Sequence, residues 1–422
     1  MKSIFIESPL KKEAKIEPWH DFTAKLRQPS LFPRIKEYVF WQRARRKAKA
    51  ENNALPEMSE SLFAPISINL DLTTACNFRC SHCIDQAILN RGVNYDYGKL
   101  VASLESMIKY GLRSVILIGG GEPTIYPKFR EVVRFLKERS IQLAIVSNGS
   151  RNNVICEVAE CFSDKDWVRF SLDAGSNKTF IKMHRPRRAI TLEEICGWVP
   201  LIREKNPNLS VGFSFVIVWE RVGYESENEI VPNIEEIVMA TELARQYKFN
   251  YISIKPFLTR RPEGSEIMDT AAVEDFNCTI ARIREAVKEA KTYETEDFRV
   301  IESTNLRALE QNIWHDFTCQ PPVCHMQVFR QVLSPLGLFN CPAYRGAEKA
   351  HIAAKDVYSG KSELETTKKA IEAILDRFDA SHACREITCF YNLANWWIEK
   401  AVRGEIAPSE FKELEERGDY FL

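Results

Sequence analysis

The chain has 422 residues, of which 45% are apolar and 27% are charged, and its 58 basic side chains equal its 58 acidic ones. This balance excludes a bulk electrostatic field that would hold nucleic acid or an acidic membrane. No stretch approaches the roughly 20 apolar residues of a membrane span, and the first apolar run is too short for an export signal. We therefore expect a cytoplasmic protein with one domain of about 200–250 residues and a smaller second one.

Residues 1–60 are predicted to be a mostly helical lead-in. Its basic stretch at 42–51, QRARRKAKAE, is interpreted as the solvated face of a helix rather than as a binding site. The following core is predicted to cover 61–305, because the alternation of strands and helices stops after about residue 300.

Six apolar, β-branched runs follow, each with a helical pattern after it. The runs are ISINLDL (66–72), SVILIGGG (114–121), QLAIVSNG (142–149), WVRFSLDAG (167–175), LSVGFSFVIVW (209–219) and YISIKPF (251–257). Strands that alternate with helices predict an α/β fold with a parallel sheet, in a barrel or a doubly wound arrangement. In both arrangements ligands bind at the C-terminal ends of the strands.

The loop after the first run reads CNFRCSHC and carries Cys76, Cys80 and Cys83. A structural zinc site closes with four ligands, usually as two short cysteine pairs. Three thiolates without a fourth suit a cubane iron–sulfur cluster in which one iron has no protein ligand. The spacing favours the cluster and leaves zinc or uncoordinated thiols as alternatives.

CNFRCSHC also resembles the CxxxCxxC signature of radical S-adenosylmethionine (SAM) enzymes. The resemblance continues with GGGEPT (119–124), SNG (147–149) and SLD (171–173), and covers roughly residues 64–260. It implies a partial (βα)6 TIM-like barrel and a [4Fe–4S] cluster whose open iron binds SAM. The family cleaves SAM reductively to a 5′-deoxyadenosyl radical, which abstracts hydrogen from a substrate.

The resemblance makes Cys76, Cys80 and Cys83 the cluster ligands. It assigns contacts with SAM to His82, Gly120, Gly121, Glu122, Ser147, Asn148, Ser171 and Arg185. Glycine lets the main chain approach a ligand closely, which gives the glycine pair a physical reason. The alternatives are structural: a turn for the glycines, a loop residue for His82, strand-end hydroxyls for the serines and a solvated surface charge for Arg185.

A second set of cysteines lies beyond residue 300, where a hairpin is predicted at QVFRQVLSPLGLFNCP. Four thiolates could close a zinc site or a fully ligated cluster. The arrangement resembles the auxiliary-cluster modules of radical SAM enzymes, in the shorter twitch form rather than the full SPASM form, because too few cysteines remain for two clusters. The resemblance implies one auxiliary [4Fe–4S] cluster. Its predicted ligands are Cys324, Cys341, Cys384 and Cys389, with Cys319 as a spare.

The auxiliary module is predicted to cover 306–400, and a helical tail 401–422. The predicted function is hydrogen abstraction from a sugar-like or nucleoside-like small molecule, with the auxiliary cluster assisting. One alternative is a radical SAM peptide or protein maturase, and another, of a different class, is a non-enzymatic zinc-binding protein. The expected partners are a small-molecule or peptide substrate and an electron donor such as flavodoxin or ferredoxin. No membrane or nucleic-acid partner is expected.

Overall fold

The computed structural model describes residues 20–220, 230–261, 264–270, 273, 275–407 and 409–422, although not the side chains of 361–364. The first 19 residues of the predicted lead-in lie outside this part. Within the described residues, every helix is too short or too polar to cross a membrane.

The described strands form one large sheet and one small hairpin. They are β1 Ser67–Leu70, β2 Ser114–Leu117, β3 Gln142–Ser147, β4 Trp167–Ser171, β5 Ser210–Ile217, β6 Tyr251–Pro256, β7 Thr259–Arg260, β8 Glu266–Ile267, β9 Arg299–Glu302, β10 Arg330–Ser334, β11 Gly337–Phe339 and β12 His351–Ala353. The large sheet has the order β12-β11-β10-β1-β2-β3-β4-β5-β6-β9, and β7 pairs only with β8. All six predicted strands are present, and they pair in parallel in chain order.

Helices follow most of the parallel strands and cover the outer face of the sheet. They are α1 Phe22–Leu26, α2 Phe32–Ala50, α3 Tyr97–Lys109, α4 Phe129–Glu138, α5 Asn152–Val158, α6 Asn177–His184, α7 Leu192–Cys196, α8 Trp198–Lys205, α9 Ile237–Gln246, α10 Phe276–Lys291, α11 Thr304–Glu310, α12 Met326–Phe329, α13 Lys361–Arg377, α14 Ala380–Ala383 and α15 Asn392–Arg403. Each helix packs its apolar side against the sheet, as α3 shows: Leu100, Leu104 and Met107 recur at helical spacing and are fully buried. The α/β architecture and the partial barrel are thus as predicted.

The strand β4 shows how the sheet separates its two faces. Val168 and Phe170 are fully buried under helices, whereas Trp167, Arg169 and Ser171 are only partly buried on the opposite, inner face. Successive side chains of a strand point to opposite faces, so the polar residues of β4 line the interior of the barrel.

The predicted hairpin is present and joins the core sheet. Strands β10 and β11 pair antiparallel, and β10 also pairs in parallel with β1, with Ser67 opposite Arg330. Strands on both sides of the predicted boundary at residue 305 therefore belong to one sheet. The division into two domains remains a prediction.

The segment after Arg403 differs from the predicted helical tail. Gly404 ends α15 with a φ of +77°, a left-handed conformation that stops the helix. The last residues instead run along the lower edge of the sheet. Tyr420 donates its N–H to Gln142 (2.9 Å) and accepts from Ser114 (2.7 Å), and these two residues begin β3 and β2. Sheet contacts therefore replace the intrahelical hydrogen bonds of this segment.

Candidate functional site

The loop that carries Cys76, Cys80 and Cys83 follows β1 and is tied to two neighbouring loops. The Cys76 amide donates to Asn90 (3.0 Å), and the Arg79 amide donates to the carbonyl of His184 at the end of α6 (3.1 Å). Burial, and then the charges of the other two thiols, raise the pKa of Cys80. The three thiols therefore lie close enough to repel one another as thiolates, and a bound cation would relieve that repulsion.

The spacing of these thiols fits a cluster better than one zinc ion. Tetrahedral zinc with Zn–S bonds of about 2.3 Å brings its sulfur ligands within about 3.8 Å of one another. Within the described residues, the three Sγ atoms do not all lie within 4.8 Å of one another. Three thiols in one short loop are the donor set of a [4Fe–4S] cluster that leaves one iron without a protein ligand.

The glycine-rich loop after β2 packs directly against the cysteine loop. Gly119 has a φ of +72°, and a Cβ atom at Gly121 would lie 2.1 Å from the carbonyl oxygen of Ala75. The Glu122 amide donates to that same carbonyl (2.8 Å). Side chains would force these loops apart, which explains the glycines without any ligand. Gly120 and Gly121 lie beside the cysteine loop, and their contact with SAM remains a prediction.

The carboxylate of Glu122 connects the ends of β2 and β3. It accepts hydrogen bonds from the Ser147 hydroxyl (2.8 Å), the Asn148 amide (2.8 Å) and the Thr124 amide (3.0 Å). Burial raises its pKa, and these hydrogen bonds oppose the shift. Glu122 and Ser147 are thus hydrogen-bonded to each other, which leaves each side chain fewer hydrogen-bonding groups for a ligand than the sequence suggests.

Asn148 extends this network to the cysteine loop. Its side-chain amide donates to Asn77 (2.9 Å) and lies 4.0 Å from the Cys76 sulfur. Asn77 in turn donates to Ser150 (2.8 Å). These bonds fix the cysteine loop against the end of β3.

His82 belongs to a buried group that the sequence reasoning identified only in part. Its Nε2 atom lies 3.0 Å from the carboxylate of Asp173, which has a φ of +51° at the end of β4. Burial raises the pKa of Asp173, but the hydrogen bond from His82 and the two imidazoles outweigh it, and the net shift is downward. Nδ1 of His82 is buried without a partner among the described residues.

His184 completes this group and was missed. Its Nδ1 atom lies 3.3 Å from the Cys80 sulfur, and its Nε2 atom donates to the carbonyl of Leu172 (2.8 Å). The donor atoms of His82, Asp173 and His184 all lie within 4.8 Å of one another. Asp173 is the last residue of the SLD motif, so the sequence indicated it as a site residue. His184 lies outside the four motifs, and no sequence pattern indicated it.

The remaining two predicted SAM contacts lie at different levels of the site. Ser171 ends β4 on the inner face and pairs with Ser214 of β5. Arg185 follows α6 with a φ of +46° and lines a cavity of about 450 Å³ together with Arg79 and Cys80. The structure places both residues near the cysteine loop or inside the barrel, and their contacts with SAM remain predictions.

Arg345 is a site residue that sequence reasoning missed entirely. It follows the hairpin and inserts between two carboxylates of the core: its Nε atom lies 3.1 Å from Asp71 and its Nη1 atom 2.9 Å from Asp85. Asp85 also accepts from the Gly120 amide (3.2 Å). Burial raises the pKa of Asp71 to about 7, although Arg345 opposes the shift. One guanidinium thus joins the C-terminal module to the cysteine and glycine loops.

The four predicted auxiliary ligands converge in the C-terminal part. Burial, and then the charges of the other three cysteines, raise the pKa of Cys384, and burial raises that of Cys341 to about 12. No three of these four sulfurs, all of them described, lie within 4.8 Å of one another, so the set is also too open for one zinc ion. Cys384 and Cys389 lie in the loop between α14 and α15.

Cys319 stands apart from this set. Burial alone raises its pKa, with no contribution from another cysteine. Its carbonyl accepts hydrogen bonds from Asn392 (2.7 Å) and Trp396 (2.8 Å). The structure therefore gives Cys319 a backbone role beside α15.

Comparison with known proteins places this geometry in context. The model of the Radical SAM superfamily matches residues 70–220. A tungsten-containing aldehyde ferredoxin oxidoreductase cofactor-modifying protein of Pyrococcus furiosus is 35% identical over 36% of this chain and 43% of its own length. An S-adenosylmethionine-dependent nucleotide dehydratase of Selenomonas ruminantium is 25% identical over 36% of this chain and 56% of its own length. The chain thus spans about half the length of these curated relatives.

The solved structures extend the likeness of fold beyond the core. SuiB of Streptococcus suis, which has also been solved with its precursor peptide SuiA, has a TM-score of 0.53 and 14% identity. The match covers 87% of this chain and 79% of SuiB. At this identity the match establishes the fold alone.

Proposed function

Residues 70–220 of this chain are a radical SAM domain, and from this premise we propose that the protein is an enzyme that cleaves SAM reductively. The convergence of Cys76, Cys80 and Cys83 in one loop carries this proposal. When bound, the [4Fe–4S] cluster supplies the electron that splits SAM into methionine and a 5′-deoxyadenosyl radical, which takes a hydrogen atom from the substrate.

The residues of this chain have defined tasks in that scheme. Cys76, Cys80 and Cys83 hold the cluster, and His184 lies against the Cys80 sulfur at 3.3 Å, where it sets the orientation of that ligand. The loop at Gly119–Gly121 offers main-chain groups next to the cluster. Binding of SAM by His82, Gly120, Gly121, Glu122, Ser147, Asn148, Ser171 and Arg185 is part of this proposal.

One auxiliary [4Fe–4S] cluster held by Cys324, Cys341, Cys384 and Cys389 is the second element of the proposal. All four of its ligands come from the protein, so it has no open iron for a substrate. This supports a role in electron transfer with the substrate radical rather than in substrate binding.

The proposed electron donor is a small acidic protein such as flavodoxin or ferredoxin. Five exposed arginines from three loops surround the cysteine loop, and we call them the arginine collar: Arg79, Arg151, Arg185, Arg187 and Arg188. They line two adjoining cavities of about 580 and 450 Å³ that share Phe78, and none of the residues lining either cavity is Asp or Glu. In a chain with no net charge, this local concentration supports docking of an acidic partner near the cluster.

A small molecule is the proposed substrate class, and the nucleotide dehydratase relative supports it. Peptide maturation is the second candidate, supported by the likeness of fold to SuiB, which binds a precursor peptide. Both candidate functions require reductive cleavage of SAM. The test is whether anaerobically reconstituted protein forms 5′-deoxyadenosine from SAM and whether this depends on Cys76, Cys80 and Cys83.

A further inference from the structure

Two basic side chains lie on the inner face of the sheet, on the two strands that flank β5. Arg169 lies on the inner face of β4, and Gly212 of β5 separates it in register from Tyr251 of β6. Lys255 lies two strand positions above Ser253 on the same inner face of β6. Both cations are partly buried, whereas Ile252 and Ile254, which alternate with Lys255 along β6, are fully buried on the opposite face.

Neither side chain forms an ion pair with a carboxylate among the described residues, although the Arg169 guanidinium lies 5.2 Å from the centre of the Trp167 ring and Asp173 partly offsets the charge of Lys255. Within the described residues, no carboxylate lies within 4.0 Å of Arg169 or Lys255, and Nε of Arg169 has no hydrogen-bond partner. Lys255 donates only to the Ser214 hydroxyl, at 3.2 Å. Asp173 is the carboxylate whose charge raises the pKa of both groups. It already has hydrogen-bond partners in His82 (3.0 Å) and in the amide of Val216 (2.8 Å).

Arg169 and Lys255 also act on each other and on a neighbouring histidine. Burial lowers the pKa of Lys255 well below its usual value, and the charge of Arg169 lowers it further. At the bottom of the barrel, burial and the charges of Lys25, Arg169 and Lys255 lower the pKa of His20 to about 3. Two partly buried basic groups without a carboxylate partner are unfavourable for the protein alone, and an anion bound between them would stabilise the charged form of both.

The same region contains small polar side chains and a glycine that makes room for the Tyr251 ring. Ser171, Ser214 and Ser253 form one layer in register across β4, β5 and β6. Below them, a Cβ atom at Gly212 would lie 2.1 Å from the Tyr251 ring. Hydroxyls and cations together are the donors that proteins use to bind phosphate and carboxylate groups.

We propose that Arg169 and Lys255 bind an anionic group of the substrate, a phosphate or a carboxylate, within the barrel. This inference rests on the proposed function and narrows its substrate class to small molecules that carry such a group, which excludes neutral sugars and nucleosides. The anion holds the rest of the substrate towards Ser171 and the cysteine loop, at the C-terminal ends of the strands.

The test is a titration of reconstituted, SAM-saturated protein with three separate probes: inorganic phosphate, pyrophosphate and acetate. We expect saturable binding of at least one anion, weakened about tenfold or more in Arg169→Gln and Lys255→Met, because each removes a charged hydrogen-bond donor. Arg169→Lys and Lys255→Arg keep the charge and should retain binding within a few-fold, which guards against a folding defect. Arg284→Gln, an exposed arginine of α10, is the matched control and should bind as the wild type does.

Phosphate or pyrophosphate as the tighter ligand identifies a phosphorylated substrate, and acetate identifies a carboxylate. Equal affinity in the wild type and in both charge-removing variants would overturn the inference, as would no binding of any probe. Competition between the anion and SAM would also overturn it, because these cations would then hold the SAM carboxylate. Protein that binds the anion but does not cleave SAM would contradict the proposed function and leave the anion site intact.

Discussion

Arg345 contacts Asp71 and Asp85 in a buried position, so its loss would leave two carboxylates without a cation. Removing one partner of a buried ion pair costs about 3–5 kcal/mol. We expect Arg345→Met to lower the free energy of unfolding by that amount, as measured by urea denaturation. The free energy of unfolding of Arg345→Lys should lie between those of Arg345→Met and the wild type, because one ammonium cannot contact both carboxylates as a guanidinium does.

The control for this prediction is Arg134→Met, which removes an exposed arginine of α4. It should change the free energy of unfolding by no more than about 0.5 kcal/mol. If Arg345→Met is equally harmless, Arg345 does not connect the C-terminal module to the core.

The same residues show what a sequence can and cannot reveal about a site. Cys76, Cys80 and Cys83 lie in one short motif, so their spacing alone indicated a shared ligand. Arg345 and Asp85 are 260 positions apart and belong to no motif, and only the pairing of β10 with β1 brings them together. Glu122 was predicted to contact SAM, and the hydrogen bonds that its carboxylate accepts from Ser147 and Asn148 could not be predicted from the motif.

Among the structural elements, the loop between α14 and α15 determines whether the auxiliary cluster forms, because it supplies two of the four proposed ligands. We expect the double variant Cys384→Ala/Cys389→Ala to lose about half of the iron, on the order of four of eight atoms per chain. Iron analysis after anaerobic reconstitution checks this. Cys319→Ala is the matched control and should keep the full iron content, since Cys319 does not share the charges of the other four.

Full iron in the double variant would show that the second cluster is absent or held elsewhere. A loss of iron in Cys319→Ala would instead return Cys319 to the ligand set.

Local patterns predicted the elements of the core well, because β-branched runs and helical spacing act over short distances. The six strands β1–β6 and the hairpin of β10 and β11 are examples. Two features depended on contacts distant in the chain and were not predictable: the pairing of β10 with β1, and the extended segment at Tyr420, which bonds to Gln142 of β3. The predicted tail helix was wrong. The side chains of Gln142 and Ser114 form hydrogen bonds with the backbone of Tyr420, in place of intrahelical hydrogen bonds.

At the scale of the whole molecule, the arginine collar concentrates positive charge on a chain whose total charge is zero. Complementary charge accelerates association by about tenfold or more and loses this effect at high salt. With flavodoxin as the reductant, we expect Arg151→Glu/Arg188→Glu to slow SAM cleavage about tenfold or more. With dithionite, a small reductant that needs no docking surface, the same variant should slow far less.

Charge reversal elsewhere provides the control for this comparison. Arg245→Glu/Arg284→Glu changes the same charge on exposed positions of α9 and α10 and should leave flavodoxin-driven cleavage within about twofold of the wild type. Equal slowing of the collar variant with both reductants would assign the collar to substrate or SAM rather than to the electron donor.

The central claim is that the cysteine loop after β1 holds a cluster that cleaves SAM. Its most direct test compares anaerobically reconstituted wild type with the triple variant Cys76→Ala/Cys80→Ala/Cys83→Ala, in dithionite and SAM. We expect about eight irons per wild-type chain and formation of 5′-deoxyadenosine, and in the variant half the iron and no 5′-deoxyadenosine. Wild-type protein that fills with zinc and leaves SAM intact, or a variant that still forms 5′-deoxyadenosine, would contradict the claim.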